Sequence, residues 1–380
     1  MSERPAIAFG LLHAGLALGR SLGRGGVRVS GLVLAETDFG LSSRYLADRR
    51  IARSDDEAVA AISAIARESR PLLFPERDEH VELIVRRWAE VRALADVPLP
   101  DDPEVVKALR RKEMLPIMAT TSDVPAPRTV EAQDEESIRG AGMQPPFLVK
   151  PAEGQGFALA FGHKVVVAGS VDEAIAAWRR ARDHGFETIV QELIPGSHER
   201  VHSLFTYIGR DGEPLASVVG RKVRQGPLRF GTSAVFEARH DADVMALGQR
   251  LLLTAGYRGF AHVEFAHDHR DGRYKLLEVN TRLPVWAGIA MTRSFDVARL
   301  AYDDLSGRDV RPLGRVPDGT TWIYLGKDMW VSAQMARRRE LGPAAFLRPY
   351  VRRRKVRATF AADDPRPALA SLAYLRSRAG

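Results

Sequence analysis

The sequence predicts an α/β protein in which a first part of alternating strands and helices is followed by an α+β part. Residues 5–110 alternate short apolar runs with segments of helical periodicity, which is the pattern of βαβ units. Farther along, the Asp-Gly pairs at 211–212 and 271–272 each join two apolar runs, the strongest short signal for a β-hairpin. The chain has 380 residues, enough for two or three domains with sizeable cores.

Composition narrows the class of protein. Hydrophobic residues make up 45% and charged residues 27% of the chain, which is an ordinary globular profile. Because the chain has no cysteine, it cannot form disulfides, zinc–thiolate sites or a cysteine nucleophile. No apolar run reaches about 18 residues, and the first residues lack a signal-peptide pattern, so we expect a cytoplasmic protein.

The first βαβ unit consists of an apolar strand at 6–9, a glycine-rich helix and a second strand at 27–34. A dinucleotide fingerprint would need G-x-G-x-x-G directly after the first strand, whereas Gly10 is followed by Leu11 and Leu12. We therefore expect a Rossmann-like domain whose glycines allow close helix–sheet packing and do not bind NAD.

Two basic features lie farther along the chain. A helix that begins after Asp102 carries a cluster of basic residues. Such a cluster most often forms the solvent-exposed face of a helix. The cluster consists of Lys107, Arg110, Arg111 and Lys112. A second basic side chain, Lys150, ends the apolar strand 147–149 and precedes a loop with Gly154 and Gly156. A lysine in that position suits phosphate binding, and the glycines would let the loop close over a nucleotide.

The apolar strand from Thr188 to Ile194 leaves its sheet at Pro195 and Gly196. A strand that departs at a proline has free backbone groups, which suits adenine binding beside an apolar slot. A strand followed by a β-turn is the simpler interpretation of this stretch taken alone. A hairpin then leads to a basic segment that suits phosphate or a carboxylate. Its basic residues are Arg221, Lys222, Arg224 and Arg229.

The stretch from Gly259 to Arg282 is predicted to form two strands joined by a turn. Glu264 lies on the first strand, and Glu278 and Asn280 lie at the end of its antiparallel neighbour. Two carboxylates and an amide oxygen suit a hard ion such as Mg²⁺. Arg282 follows closely enough to face phosphoryl charge. Alternatively, both glutamates are solvated strand residues, but their apolar neighbours make that placement awkward.

The segment VEF…DGRYKLLEVNTR resembles the metal-binding signature of the ATP-grasp superfamily, and the likeness extends more weakly over most of the chain. Members join a carboxylate to an amine through an acyl phosphate, and the D-aspartate ligase-like group is the nearest resemblance. The resemblance implies ATP and Mg²⁺, or Mn²⁺ in its place. It also implies a Rossmann-like preATP-grasp domain before a two-lobed ATP-grasp domain, with a small-molecule carboxylate and an amine acceptor as substrates.

The resemblance also implies roles for individual residues. Lys112 and Lys150 would reach the ATP phosphates, although the family more often has Asp where this chain has Arg111. The adenine contacts would come from Gln191, Glu192, Leu193 and Ile194, and Glu199 would bind the ribose. The metal ligands would be Glu264, Glu278 and Asn280. We expect Arg282, with Arg221, Lys222 and Arg224, to neutralise phosphoryl charge or bind the substrate carboxylate.

We expect three parts in the chain. They are a preATP-grasp domain at 1–113, an ATP-grasp domain at 114–320 with a lid lobe at 124–190 and a metal lobe at 191–320, and a basic C-terminal segment at 321–380. The net charge is +8, and residues 337–357 contain nine basic residues against Glu340 alone. This segment could contact an anionic membrane or a lipid-linked substrate, or it could simply close the fold. No specific nucleic-acid module is evident, and a homodimer is a further expectation.

The predicted activity is formation of an amide bond with release of ADP. Two alternatives stay open. One is a ligase of the biotin carboxylase or purine-synthesis type, in which the acceptor differs. The other is a nucleotide-binding regulatory protein without turnover, against which the complete set of Glu264, Glu278 and Asn280 argues.

Overall fold

The computed structural model describes residues 3–151, 157–163, 165–196, 201–228 and 231–379. Sheets of four, four and seven strands, together with one two-stranded ribbon, make up the described chain. Within these ranges, none of the helices combines the length and the apolar character needed to span a membrane. The predicted mixed α/β class is confirmed.

The first sheet is parallel and lies in the N-terminal part. Its strands are β1 (Ala6–Phe9), β2 (Val29–Val33), β3 (Leu46–Ile51) and β4 (Leu72–Pro75). They are ordered β3-β2-β1-β4, as expected for a Rossmann-like sheet. The helices of this part are α1 (His13–Arg24), α2 (Asp55–Ala66), α3 (Asp78–Arg86), α4 (Trp88–Leu94), α5 (Pro103–Arg110) and α6 (Leu115–Thr121). In such sheets the loops after the carboxyl ends of the strands form the usual binding crevice.

The second sheet is small and antiparallel. Its strands are β5 (Thr129–Glu131), β6 (Phe147–Pro151), β7 (Val166–Ala168) and β8 (Thr188–Glu192), in the order β5-β8-β6-β7. It is accompanied by α7 (Glu135–Gly140), α8 (Phe157–Phe161) and α9 (Val171–Asp183). A separate apolar core lies between this sheet and α9, with Trp178 at its centre. These residues therefore form a lobe with its own interior.

The third sheet has seven strands. They are β9 (Val201–Ile208), β10 (Pro214–Gly226), β11 (Thr232–Ala238), β12 (Gly259–Asp268), β13 (Arg273–Asn280), β16 (Thr321–Ile323) and β17 (Lys355–Arg357). The two-stranded ribbon consists of β14 (Met291–Thr292) and β15 (Phe295–Asp296). The remaining helices are α10 (Ala242–Thr254), α11 (Val297–Leu305), α12 (Leu325–Arg337), α13 (Pro343–Val351) and α14 (Arg366–Ala379). The strand order is β13-β12-β9-β10-β11-β16-β17.

Side-chain caps explain where several helices begin. Ser54, Ser170 and Asp241 each precede a helix and accept a hydrogen bond from the backbone N–H three residues on. Such a cap satisfies one of the donors that a helix start leaves unpaired, and its loss typically costs about 1 kcal/mol. The same signals are visible in the sequence, so these boundaries follow from local chemistry.

The C-terminal segment is integrated with the rest of the chain. It supplies the last two strands of the seven-stranded sheet, where β16 pairs with β11 and β17 pairs in parallel with β16. It also contacts the first domain, where Asp364 accepts from Arg20 and Ser43, and Asp363 accepts from Tyr45. The division of the chain at residues 113 and 320 stays a prediction.

Candidate active site

The hairpin of β12 and β13 has the register that the sequence predicts. Glu264 lies opposite Glu278, and His262 lies opposite Asn280. Directly opposed residues of an antiparallel pair project from the same face of the sheet. A bulge follows Glu264, where the register shifts by one residue. The hairpin therefore brings both predicted carboxylates and the amide to one side.

Glu264 is buried and partnered. Its Oε1 lies 2.9 Å from Lys222 Nζ on β10 and 3.4 Å from His262 Nε2. Burial raises the pKa of Glu264, but the attraction of Lys222 and His262 outweighs it, so the pKa lies below its ordinary value. The carboxylate is ionised at neutral pH, and its charge is balanced by the lysine.

Glu278 differs from Glu264 because its side chain is exposed. It lines a cleft of about 1370 Å³ together with Asn280 and Arg282, opposite the loop after β4. Within the described ranges Glu278 forms no ion pair, and no group of three or more acidic or histidine side chains forms a metal cluster. Two carboxylates and one amide oxygen on one face nevertheless fit Mg²⁺, which prefers oxygen ligands and keeps several waters.

Arg282 is held by a residue of the first domain. Its Nη2 donates to Asp78 Oδ2 at 2.6 Å and to Asn280 Oδ1 at 3.2 Å. Asp78 also accepts from Arg110. Burial raises the pKa of Asp78, but the guanidinium groups of Arg282 and Arg110 lower it by more. The pKa of Asp78 is therefore well below its ordinary value. This ion pair fixes Arg282 beside the predicted metal ligands.

Of the two predicted phosphate lysines, Lys112 lines the cleft, and Lys150 lies near it. The Nζ of Lys112 donates to Pro151 O at 3.1 Å. Burial, and next the charge of Lys112, lower the pKa of Lys150 to about 8, while Glu278 acts in the opposite direction. Lys112, Lys150 and Glu278 are therefore close enough to influence one another's charge. Gly154 and Gly156 lie outside the described residues.

The predicted adenine-binding segment, residues 191–194, is partly occupied by contacts within the protein. Glu192 Oε1 accepts from Gln144 N at 2.9 Å, and its other oxygen lies 3.7 Å from Arg270 Nη2. The Leu193 amide donates to Pro146 O at 2.8 Å, so any adenine contact of Leu193 would use its carbonyl oxygen. Ile194 is buried at the same strand end.

Gln191 makes a contact within the sheet, and its role in adenine binding stays a prediction. Its side chain donates to Thr129 Oγ1 at 2.8 Å across the pairing of β8 with β5, which gives it a structural position. The predicted ribose ligand, Glu199, lies outside the described residues.

Arg221 and Arg224 are not among the residues that line the cleft in the described chain, and each is paired with an acidic side chain. Their role in catalysis stays a prediction. Neighbouring residues of a strand point to opposite faces of the sheet, and Lys222 points to the face that carries Glu264. Arg221 therefore points to the other face, where it pairs with Glu237 at 3.0 Å. Arg224 is buried against Asp328 of α12 at 2.5 Å, after a bulge in β10. Of the basic segment, Lys222 reaches the site, and Arg229 lies outside the described residues.

The loop after β4, for which the sequence predicted no role, also contributes to the cleft. Glu76 is buried at the cleft, where its carboxylate accepts from Leu12 N at 2.7 Å and Ala14 N at 2.8 Å at the start of α1. Burial, and next the charge of Asp38, raise the pKa of Glu76 to about 7. The run of charged residues directly after the apolar strand 72–75 was the available signal.

Glu76 is expected to make stability depend on pH. Its pKa is higher in the folded chain than its ordinary value of 4.5, so the folded chain holds this proton more tightly. The stabilisation is complete below pH 4.5 and is lost as pH rises through 7. Relative to Glu76→Gln, the native chain should lose about 3 kcal/mol over that window. Urea unfolding of both proteins at a series of pH values measures the difference, and a constant difference would contradict the assignment.

No family model matches the chain. A D-aspartate ligase of Enterococcus faecium is 24% identical over 245 residues, which are 61% of this chain and 58% of that protein. A D-alanine–D-alanine ligase of Stutzerimonas stutzeri is 29% identical over 174 residues, which are 42% of this chain and 50% of that protein. The chain thus spans between half and three fifths of the length of these relatives.

A solved structure shares the fold over most of the chain. It is an N5-carboxyaminoimidazole ribonucleotide synthetase in complex with ADP, with a TM-score of 0.66. The superposition covers 89% of this chain and 86% of that one at 16% sequence identity. At this identity the likeness concerns the fold, and it confirms the architecture that the sequence predicts.

Proposed function

Because the chain belongs to the ATP-grasp superfamily, we propose that it is an ATP-dependent ligase that joins a carboxylate to an amine with release of ADP and phosphate. One observation carries the proposal. Glu264, Glu278 and Asn280 lie on one side of a hairpin, where Glu264 pairs with Lys222. Glu278, Asn280 and Arg282 line a cleft that Lys112 also lines. Phosphoryl transfer needs this combination of metal ligands and fixed positive charge.

In this proposal ATP lies along the cleft, with its adenine at the backbone of Leu193 and Ile194. Lys112 and Lys150 bind its phosphates. Glu264, Glu278 and Asn280 hold Mg²⁺, or Mn²⁺ in its place, which would neutralise phosphate charge when bound. The Lys222–Glu264 pair keeps that carboxylate ionised, which is the form that binds a cation.

The reaction proceeds in two steps. A substrate carboxylate oxygen attacks the γ-phosphorus and ADP leaves, which forms an acyl phosphate. The amine then attacks the acyl carbon, phosphate leaves, and the nitrogen loses a proton. Arg282 binds the carboxylate or the transferred phosphoryl group, since Asp78 fixes it beside the metal ligands.

The identity of the acid is part of the proposal. D-aspartate is the first acid to test because one relative is a D-aspartate ligase. A homodimer and a cytoplasmic location stay predictions.

The test uses hydroxylamine in place of the amine. An acyl phosphate forms before the amine is needed, so this small nucleophile should trap it as a hydroxamate. A panel of amino acids and dicarboxylates, D-aspartate among them, is supplied with ATP and Mg²⁺. The expected result is ADP and hydroxamate that depend on one acid and on the metal.

Lys150→Ala is the blank in this assay. AMP with pyrophosphate would mean adenylation and would overturn the mechanism. ATP binding without product from any acid, with a lysate-derived amine pool run in parallel, would favour the regulatory alternative.

A further inference from the structure

We propose that α12 and α13 form a docking surface for an anionic lipid bilayer. Residues 337–357 are strongly basic. In the structure, α12 and α13 also expose large apolar side chains. The inference goes beyond the proposed ligase activity, and vesicle binding without nucleotide tests it separately.

The exposed side of α12 is apolar. Its exposed residues before Arg337 are Leu325, Met329, Trp330, Ala333 and Ala336. The side chains of Leu325, Met329 and Trp330 are each at least 50% exposed. A solvated helix normally carries polar residues on this side, whereas the polar residue Asp328 of α12 is buried. The helix therefore directs its apolar side away from the protein.

The next helix repeats this feature. Leu347 and Val351 of α13 are 52% and 75% exposed, and they lie four residues apart on one side of the helix. Arg348 stands exposed next to them. Large apolar side chains exposed on neighbouring elements mark an interaction surface more often than isolated ones do.

The charge around these helices selects the partner. Residues 337–357 hold nine basic residues, of which Arg352 pairs with Glu237. In the described part of the chain, no carboxylate lies within ion-pair distance of the other eight. A second copy of this chain would present the same positive charge, so a symmetric dimer through this surface is disfavoured. An anionic bilayer offers complementary charge over an apolar interior.

Trp, Leu and Arg are also side chains that suit the boundary between water and lipid. Tryptophan places an apolar ring with one polar tip there, and arginine extends its charge to the headgroups from an apolar stem. Binding by such a surface is peripheral and reversible, and it weakens as salt increases.

The test is sedimentation of the full chain with vesicles of phosphatidylcholine, alone or mixed with phosphatidylglycerol. We expect binding to the anionic vesicles at low salt, loss at high salt, and a blue shift of Trp330 emission that Trp330→Phe abolishes. Replacing Arg337, Arg338 and Arg339 with Gln should weaken partitioning on the order of 100-fold. The matched control replaces Arg293, Arg311 and Arg315, which removes the same charge elsewhere.

A second pair of variants tests the contribution of apolar insertion to vesicle binding separately from that of charge. Val351→Ser should weaken binding and keep its salt dependence, whereas Ile117→Ser, at a comparably exposed position on α6, should not. Equal partitioning of the two arginine triple variants overturns the proposal. Retention on poly-glutamate without vesicle binding also overturns it and indicates an acidic protein partner.

Discussion

Glu278→Ala is expected to lower the rate of ADP formation by about 1,000-fold or more, because it removes the exposed carboxylate of the proposed metal site. The free energy of unfolding should change by no more than about 0.5 kcal/mol, since Glu278 is exposed and forms no ion pair in the described chain. Steady-state turnover with the acid found by hydroxamate trapping, together with urea unfolding, measures both quantities. Glu131→Ala, at an exposed strand position that has no ion pair in the described chain, is the control.

Glu264 should behave differently although it lies directly opposite. Its removal leaves the Lys222 ammonium without its carboxylate in a buried position, so Glu264→Ala should lower stability as well as turnover. The contrast between the two glutamates separates the metal hypothesis from a structural one. If Glu278→Ala keeps near-normal turnover, the metal site is wrongly placed.

The register of this hairpin was predictable because local rules determine it. An Asp-Gly turn fixes which residues face each other, and the alternation of side chains puts Glu264 and Glu278 on one face. Local rules do not determine the side-chain positions along β10 in the same way. Bulges between Lys222 and Gln225 break the alternation, so the position of Arg224 depends on packing that appears only in three dimensions.

Contacts between distant parts of the chain were also beyond prediction. Asp78 accepts a hydrogen bond from Arg282, which lies 204 residues away in the chain. Glu76 accepts one from the backbone amide of Leu12, which lies 64 residues away. No local periodicity links such pairs. Gln191 shows the same limit, since its partner Thr129 becomes adjacent only when β8 pairs with β5.

The role of Arg224 in the fold leads to the second large expected effect. Its guanidinium donates twice to Asp328, and it also donates to the carbonyl oxygens of Ala345 and Phe346. Tyr350 donates to the same carboxylate. Both members of the ion pair are buried, with side-chain exposures of 2% and 0%. This cluster therefore fastens α12 and α13 to the strand that carries Lys222.

Asp328→Ala should lower the free energy of unfolding by about 3 to 5 kcal/mol, because it leaves a buried guanidinium without its counter-charge. Arg221→Ala is the matched control, because Arg221 lies on β10 like Arg224, the partner of Asp328. Its ion pair with Glu237 is partly exposed and should cost at most about 1 kcal/mol. The double variant Arg224→Met with Asp328→Leu should recover much of the loss, since it removes both charges and keeps apolar volume. Urea unfolding of the wild type, Arg224→Met, Asp328→Leu and this double variant gives the coupling energy. If Asp328→Ala costs no more than Arg221→Ala, the C-terminal helices are not held to β10 by this pair.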